Sequence, residues 1–197
     1  KIIEFLSSQQ TGRISSIDEN GYPQIIPMNF VFINDVVYMH SHIKGEKLEN
    51  IKRNQKVGFE VDKSLEFLPS YFSDPTDASL ADTLYISVVI KGNASIISDK
   101  EEKTIALNGL MKKYQPEGGY EPIKPEMDVL DEVAVIKIVP ESLRGKYKIG
   151  QHMDRKSRVN LAKQIMERNS PTAKETLDIM GFEIIDNEPK LVDDKLW

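Results

Sequence analysis

A chain of 197 residues, 40 % hydrophobic and 29 % charged, can bury one proper core with room for an appendage. Its net charge of −5 argues against nucleic acid as a partner, since nonspecific binding draws on excess Lys and Arg to neutralise phosphates; no run approaches the ~20 apolar residues that span a membrane. Without a single cysteine, disulfides, thiol catalysis and Cys-ligated metal centres are excluded, a composition that fits a cytoplasmic protein.

The opening Lys1-Ile2-Ile3-Glu4 reads as an amphipathic segment rather than a charged-then-apolar leader. Ile2, Ile3, Phe5 and Leu6 predict a short helix that stops before Gly12. Residues 13–17 alternate as a strand, and Asn20-Gly21 is a hairpin signal. Residues 24–33 read as one long strand, with Pro27 marking an edge or a bulge because it cannot donate to a ladder. Asn34-Asp35 suits a two-residue turn, since both residues tolerate positive φ, and residues 36–40 run back antiparallel. A helix from about 46 to 54 buries Leu48 and Ile51, and residues 57–62 form the next strand.

Residues 63–82 hold two prolines and many small polar side chains and read as a long loop, of the kind that often covers a pocket. Residues 83–97 carry the longest β signal, with Gly92 in its middle where a strand bends or is closely approached. Asp99 and Glu102 form a capping-box pattern ahead of a helix over 100–115 whose apolar stripe is Leu107, Leu110, Met111 and Tyr114. Residues 115–127 are irregular, and 133–139 form an apolar strand stopped by Pro140. Two helices follow, about 156–168 and 171–180, the second with Ser170 as cap, Pro171 in first position and Gly181 as stop. About six strands with early hairpins and few helices point to an antiparallel barrel or sandwich.

The chemistry concentrates where the strand 36–40 ends. His40, His42, Lys44, Gly45 and Lys47 follow one another there, and the next helix aims its first N–H groups at the same place. Free N–H donors, the positive end of a helix dipole and a lysine make an anion site, with phosphate the usual guest. A lysine in a first helical turn opposes the dipole, so a nearby anion accounts for it better than solvent does. His40 and His42 share a face if the strand continues. A metal reading would need His152 and a carboxylate, and with three histidines in the chain no spaced ligand pair supports it. Residues 144–158 hold six Lys or Arg against one Asp, a basic tract able to attract an anionic ligand such as a nicotinamide cofactor. There is no Walker loop, Gly-x-Gly-x-x-Gly or nucleophile elbow.

The order His40…Gly45-x-Lys47, then Asn54-Gln55-Lys56-Val57-Gly58-Phe59, with Gly12, Gly21-Tyr22-Pro23…Pro27, Tyr85-x-Ser87-Val88 and Gly145-Lys146 around it, resembles the pyridoxamine 5'-phosphate oxidase-like flavin-binding split barrels. It is most similar to the branch associated with 5-nitroimidazole resistance. The resemblance implies a mainly β fold, a six-stranded antiparallel FMN-binding split β-barrel over residues 1–150, with a C-terminal helical extension over 151–197. It implies FMN as cofactor, a homodimer with flavin at its interface, and NAD(P)H with a small oxidised acceptor such as a nitroaromatic. It places the phosphate at Gly45 and Lys47, and His40 beside the flavin as the candidate catalytic group. Ser41, His42, Met39, Tyr85, Ser87, Lys146 and Gln151 join as cofactor contacts. Pro27, Met28, Asn29 and Phe30, on a strand expected to pair with 36–40, would bond and cover the ring. A flavin-binding sensor without turnover and a haem-handling relative remain open alternatives. The Arg-x-His substrate signature of the vitamin oxidase is not found.

Overall fold

A computed structural model of the chain describes residues 1–192; the last five residues of the expected 151–197 extension lie outside the described residues. Two compact units interleave along the sequence: Lys1–Val61 with Val88–Gly145, and Asp62–Ser87 with the residues from Lys146 onward.

The first unit begins with α1 (Ile2–Ser8), β1 (Thr11–Ile17), β2 (Pro23–Asn29), β3 (Val31–Ile33), β4 (Val36–His42) and α2 (Glu46–Arg53). It continues with the first part of β5 (Lys56–Leu68), the second part of β6 (Asp82–Ile97), α3 (Lys100–Tyr114), the single turn α4 (Val129–Glu132) and most of β7 (Val133–Lys148). The strands form one seven-stranded sheet in the order β2-β1-β5-β6-β7-β4-β3, and β1/β2, β1/β5, β3/β4 and β4/β7 pair antiparallel.

Both short hairpins form where turn chemistry places them. Asp18 accepts from the Asn20 and Tyr22 N–H groups at 2.8 Å each. Asn34 and Asp35 both take positive φ, 50° and 62°, the geometry of a type I′ turn.

The count is seven strands rather than six, because the stretch 24–33 breaks at Phe30. The Phe30 ring is fully buried and packs edge-on against Phe59 with centroids 5.1 Å apart. Its backbone leaves the ladder for the Tyr114 hydroxyl, which accepts from the Phe30 N–H at 2.8 Å and lies 3.0 Å from the Phe30 carbonyl. β2 and β3 therefore stand at opposite ends of the strand order with one residue between them. A single residue spans only a few ångströms, so the sheet of this unit curls until its edges meet at Phe30. No β2–β3 ladder closes it.

The core of the curl is tightly fitted. A Cβ on Gly12 would stand 2.1 Å from the Phe59 ring, and one on Gly92 2.3 Å from the Val139 carbonyl oxygen. α3 lays Ala106, Leu107 and Leu110 on Val31, Tyr38 and Val135. Asp99 caps it by accepting from the Glu102 N–H at 2.7 Å, whereas the Glu102 carboxylate turns to Lys137 at 2.5 Å and the Tyr38 hydroxyl at 2.9 Å. β7 runs through Pro140 because its last pair with β4 is Ile138↔Val37; two residues further on, a missing N–H on that side breaks no ladder bond.

The second unit contains the end of β5, which continues to Leu68 rather than stopping at 62, and the start of β6. The loop between them shrinks to residues 69–81 and holds two 3-10 turns, Ser70–Phe72 and Ala78–Leu80. After β7 come α5 (Arg155–Arg168), α6 (Ala173–Ile179) and a hairpin of β8 (Phe182–Ile185) and β9 (Glu188–Leu191). That hairpin turns on Asp186-Asn187, both at positive φ, and was not expected. Ser170 does not cap α6: its hydroxyl donates to Glu66, and Thr172 takes the cap position without a side-chain bond to the helix. Glu66 is a buried carboxylate in the strand, also held by Arg168 at 2.8 Å and Thr172 at 2.9 Å. Shielded from water, its oxygens depend on these donors for their hydrogen bonds.

Candidate anion site at the start of α2

β4 delivers its exposed His40 opposite Val135 and His42 opposite Val133, so both imidazoles share one face, as their spacing predicts. The chain then turns sharply. The Ser41 hydroxyl donates to the His42 carbonyl at 2.8 Å, and His42 Nδ1 accepts from the Lys44 N–H at 3.1 Å. An accepting Nδ1 leaves the proton of the neutral ring on Nε2.

Gly45 follows at φ 157°, ψ 150° and is the N-cap of α2, with no side chain capping the helix. The Leu48 and Glu49 N–H groups return to the Gly45 carbonyl at 3.0 and 3.4 Å. The half-buried Lys47 folds back, so that its Nζ would lie 3.8 Å from a Cβ on Gly45. A cation thus stands beside an uncapped helix start. Glu46 shares that turn and itself favours the dipole, so the attraction for an external anion rests on the backbone N–H groups and Lys47.

The helix is held in place from beneath. Leu48 and Ile51 are buried, and the buried Asn50 donates to Ser16 and Gln24 at 3.3 Å each while accepting from Arg53. Sequence reasoning missed Asn50, although a polar residue between two apolar anchors on a short helix is the available signal. This arrangement can bind a phosphate or carboxylate and present an imidazole on the adjoining strand.

The remaining expected residues are placed as follows. Pro27, Met28 and Asn29 lie on β2, which pairs with β1 (Pro27↔Arg13, Asn29↔Thr11) and not with 36–40. β2 is an edge strand, which is how Pro27 is accommodated. Pro27 and Asn29 are exposed and Met28 is half-buried. The Phe30 and Met39 side chains are fully buried in the core, so neither presents a surface to a ligand. Tyr85, Ser87, Lys146 and Gln151 belong to the second unit. There the Lys146 ammonium stands 5.5 Å from the centre of the Tyr85 ring. Gln151 spends both ends of its amide on the chain turn after β7, donating to the Tyr147 carbonyl and accepting from the Ile149 N–H. Among the described residues no three His, Asp or Glu side chains gather to hold a metal ion, and no helix is long and apolar enough to cross a membrane.

Comparison with known proteins accords with this architecture. The structure resembles a candidate 5-nitroimidazole antibiotic resistance protein from Bacteroides thetaiotaomicron, with a TM-score of 0.61 and 24 % identity over 73 % of this chain and 81 % of that one. It also resembles the flavocytochrome Anf3 from Azotobacter vinelandii (TM-score 0.62, 21 % identity, 73 % and 64 % covered). A third likeness is to the FAD and heme binding protein from Mycobacterium smegmatis (TM-score 0.63, 12 % identity, 75 % and 69 % covered). At these identities the likeness is one of fold. No curated protein matches the sequence. The family model described as pyridoxamine 5'-phosphate oxidase matches residues 1–147, and the chain belongs to that family.

Proposed function

We propose that the protein binds FMN and serves as a reductase, passing electrons from NAD(P)H to a small oxidised acceptor such as a nitroaromatic. One observation carries the reading: the start of α2, with Gly45 at the N-cap position, no side chain capping it and the Lys47 ammonium folded over it. A phosphate monoester suits that combination of backbone donors and one cation. When bound, a flavin supplies the redox chemistry. The chain supplies the rest. Gly45 and Lys47 hold the phosphate, the exposed Pro27 and Asn29 offer carbonyl and amide groups to a polar ring edge, and His40 donates or accepts a proton on the open face of β4. Family membership supports a flavin-related role, and so do the fold neighbours, a flavocytochrome and an FAD and heme binding protein among them.

A homodimer is part of the same proposal. No residue of β2 is buried on either face, and Tyr22 and Ile25 stand 71 % and 62 % exposed, a surface suited to burial against a second copy. Light scattering tests it; a monomer that binds flavin stoichiometrically would overturn it.

The decisive experiment is titration of the purified protein with FMN and with riboflavin, followed by absorption. Lys47→Ala should weaken FMN binding at least tenfold and leave riboflavin binding nearly unchanged, whereas equal losses would remove Lys47 from the phosphate site. NADH or NADPH oxidation with a nitro compound separates the reductase from a flavin-binding sensor. Because one fold neighbour is an FAD and heme binding protein and another a flavocytochrome, a Soret band on haem titration is the outcome that would replace this reading.

A further inference from the structure

The second unit holds a half-open cavity of about 490 Å³ that the flavin reading does not use. It lies between the end of β5, the 69–81 loop, the start of β6 and the first turns of α5. The volume falls in the range that encloses a drug-sized molecule, ~300–1,000 Å³. Its wall is preformed rather than slack. Asp74 Oδ1 accepts from the Thr76 N–H, the Thr76 hydroxyl and the Asp77 N–H; Asp77 Oδ1 then accepts from Ser79 twice. Gln164 on α5 donates to the Phe72 carbonyl at 2.7 Å and ties the loop to the helix. A loop held in this way loses little entropy when a ligand arrives.

The lining sorts the ligand by chemistry. Leu68, Phe72, Leu84 and Leu161 give an apolar body, with the exposed Leu80 among them. Three of the charged groups are already committed. Lys148 pairs with Asp82, and Asp154 caps α5 by accepting from the Ser157 N–H at 3.0 Å and its hydroxyl at 2.8 Å. Lys156 and His152 are the other basic groups of the lining, and both side chains are exposed. Asp82 and Asp154 stand in the same lining, but the first is bonded to Lys148 and the second to the start of α5, so an incoming anion would meet Lys156 and His152 at the rim. One lysine and one imidazole are too few for a di- or triphosphate, which takes several cations or a metal ion. They suit a single carboxylate.

We infer that the cavity of the second unit, floored by Leu68, Phe72 and Leu161 and edged by Lys156 and His152, is a binding site for a small aromatic carboxylate, separate from the flavin phosphate site at α2. The inference does not rest on the flavin reading, and measuring FMN binding on the same variants keeps the two apart.

The test is a two-dimensional NMR titration of the full chain with 2-naphthoate, and with 2-naphthalenemethanol as its neutral counterpart. The expected result is saturable shifts confined to residues 68–84 and 148–164, with naphthoate at least tenfold tighter than the alcohol. Lys156→Ala should abolish that preference while leaving the alcohol's affinity within twofold. Leu80→Trp, at an exposed position that does not hold the core, should fill the cavity and weaken both probes tenfold or more with FMN binding unchanged. Absence of saturable binding, equal affinity for the two probes, shifts mapping elsewhere, or displacement of naphthoate by FMN would each overturn the assignment.

Discussion

Gly12→Ala adds one methyl group at the most crowded point of the first unit. The new Cβ would stand 2.1, 2.6 and 3.0 Å from three carbons of the Phe59 ring. Ordinary contact begins near ~3.5 Å, so the ring must retreat by more than an ångström. It has nowhere free to go, because Phe59 is 1 % exposed and sits edge-on against the fully buried Phe30. Overpacking of this kind costs about 1–3 kcal/mol, and loss of the aromatic geometry adds about 0.5–1.5 kcal/mol. A destabilisation of roughly 2–4 kcal/mol is therefore expected, read as a lower denaturation midpoint at unchanged slope in urea. Phe59→Leu removes the far end of the ring and should cost about 1–2 kcal/mol alone. In the double variant the clash is gone, so the two losses should be strongly sub-additive, by ~1 kcal/mol or more. A single-variant loss below ~0.5 kcal/mol, or simple additivity, would refute the packing argument.

His40→Ala should lower single-turnover reduction of a nitro acceptor by about 10²-fold, the usual scale of positioned acid–base help, with flavin occupancy retained; full occupancy at wild-type rate would exclude His40 from the reaction. Burial, with the bonded Glu102 carboxylate second, pushes the Tyr38 phenol from 10.0 up to about 12. Its contribution is therefore fully present below pH 10 and is lost as pH rises through 12, by at most about 2–3 kcal/mol. Tyr38→Phe should flatten that alkaline loss in melts taken over the same range. Arg168→Ala leaves the buried Glu66 carboxylate with hydroxyl partners alone and should cost about 3 kcal/mol. The paired change Glu66→Met with Arg168→Met should restore most of that stability, and failure to do so would show that packing dominates over charge.

Turn chemistry and periodicity made most of the first unit legible. Asn34-Asp35 and Asn20-Gly21 mark their turns through backbone geometry that few residues tolerate, and Asp99 marks the start of α3 through a local bond. What escaped was decided by distant partners. The break at Phe30 comes from Tyr114, 84 residues away. β5 runs on to Leu68 although Leu65 and Glu66 are both buried and interrupt its alternation, because Glu66 meets Arg168 and Ser170 far along the chain. Pro140 would end a strand only where the neighbour its N–H faces still pairs there, and β4 stops pairing two residues before it. At the candidate site the glycine, lysine and histidine were readable from their spacing. Asn50, which ties α2 to β1 and β2, was hidden because its partners Ser16 and Gln24 carry no pattern of their own.

The Tyr114 hydroxyl has a consequence for how the chain is made. It serves the N–H and carbonyl of Phe30 and reaches the Gln10 carbonyl at 2.5 Å, so three main-chain groups at the meeting edges of the sheet share one phenol. Until residue 114 leaves the ribosome these groups have only water as partner. The β1–β2 and β3–β4 hairpins can form early from local turns, but the bend that joins them cannot be buried before α3 arrives. A nascent chain shorter than about 114 residues thus exposes Phe30 and two unfinished strand edges, the state most open to wrong pairing. Translation pauses placed before α3 should raise aggregation, and pauses placed after it should not.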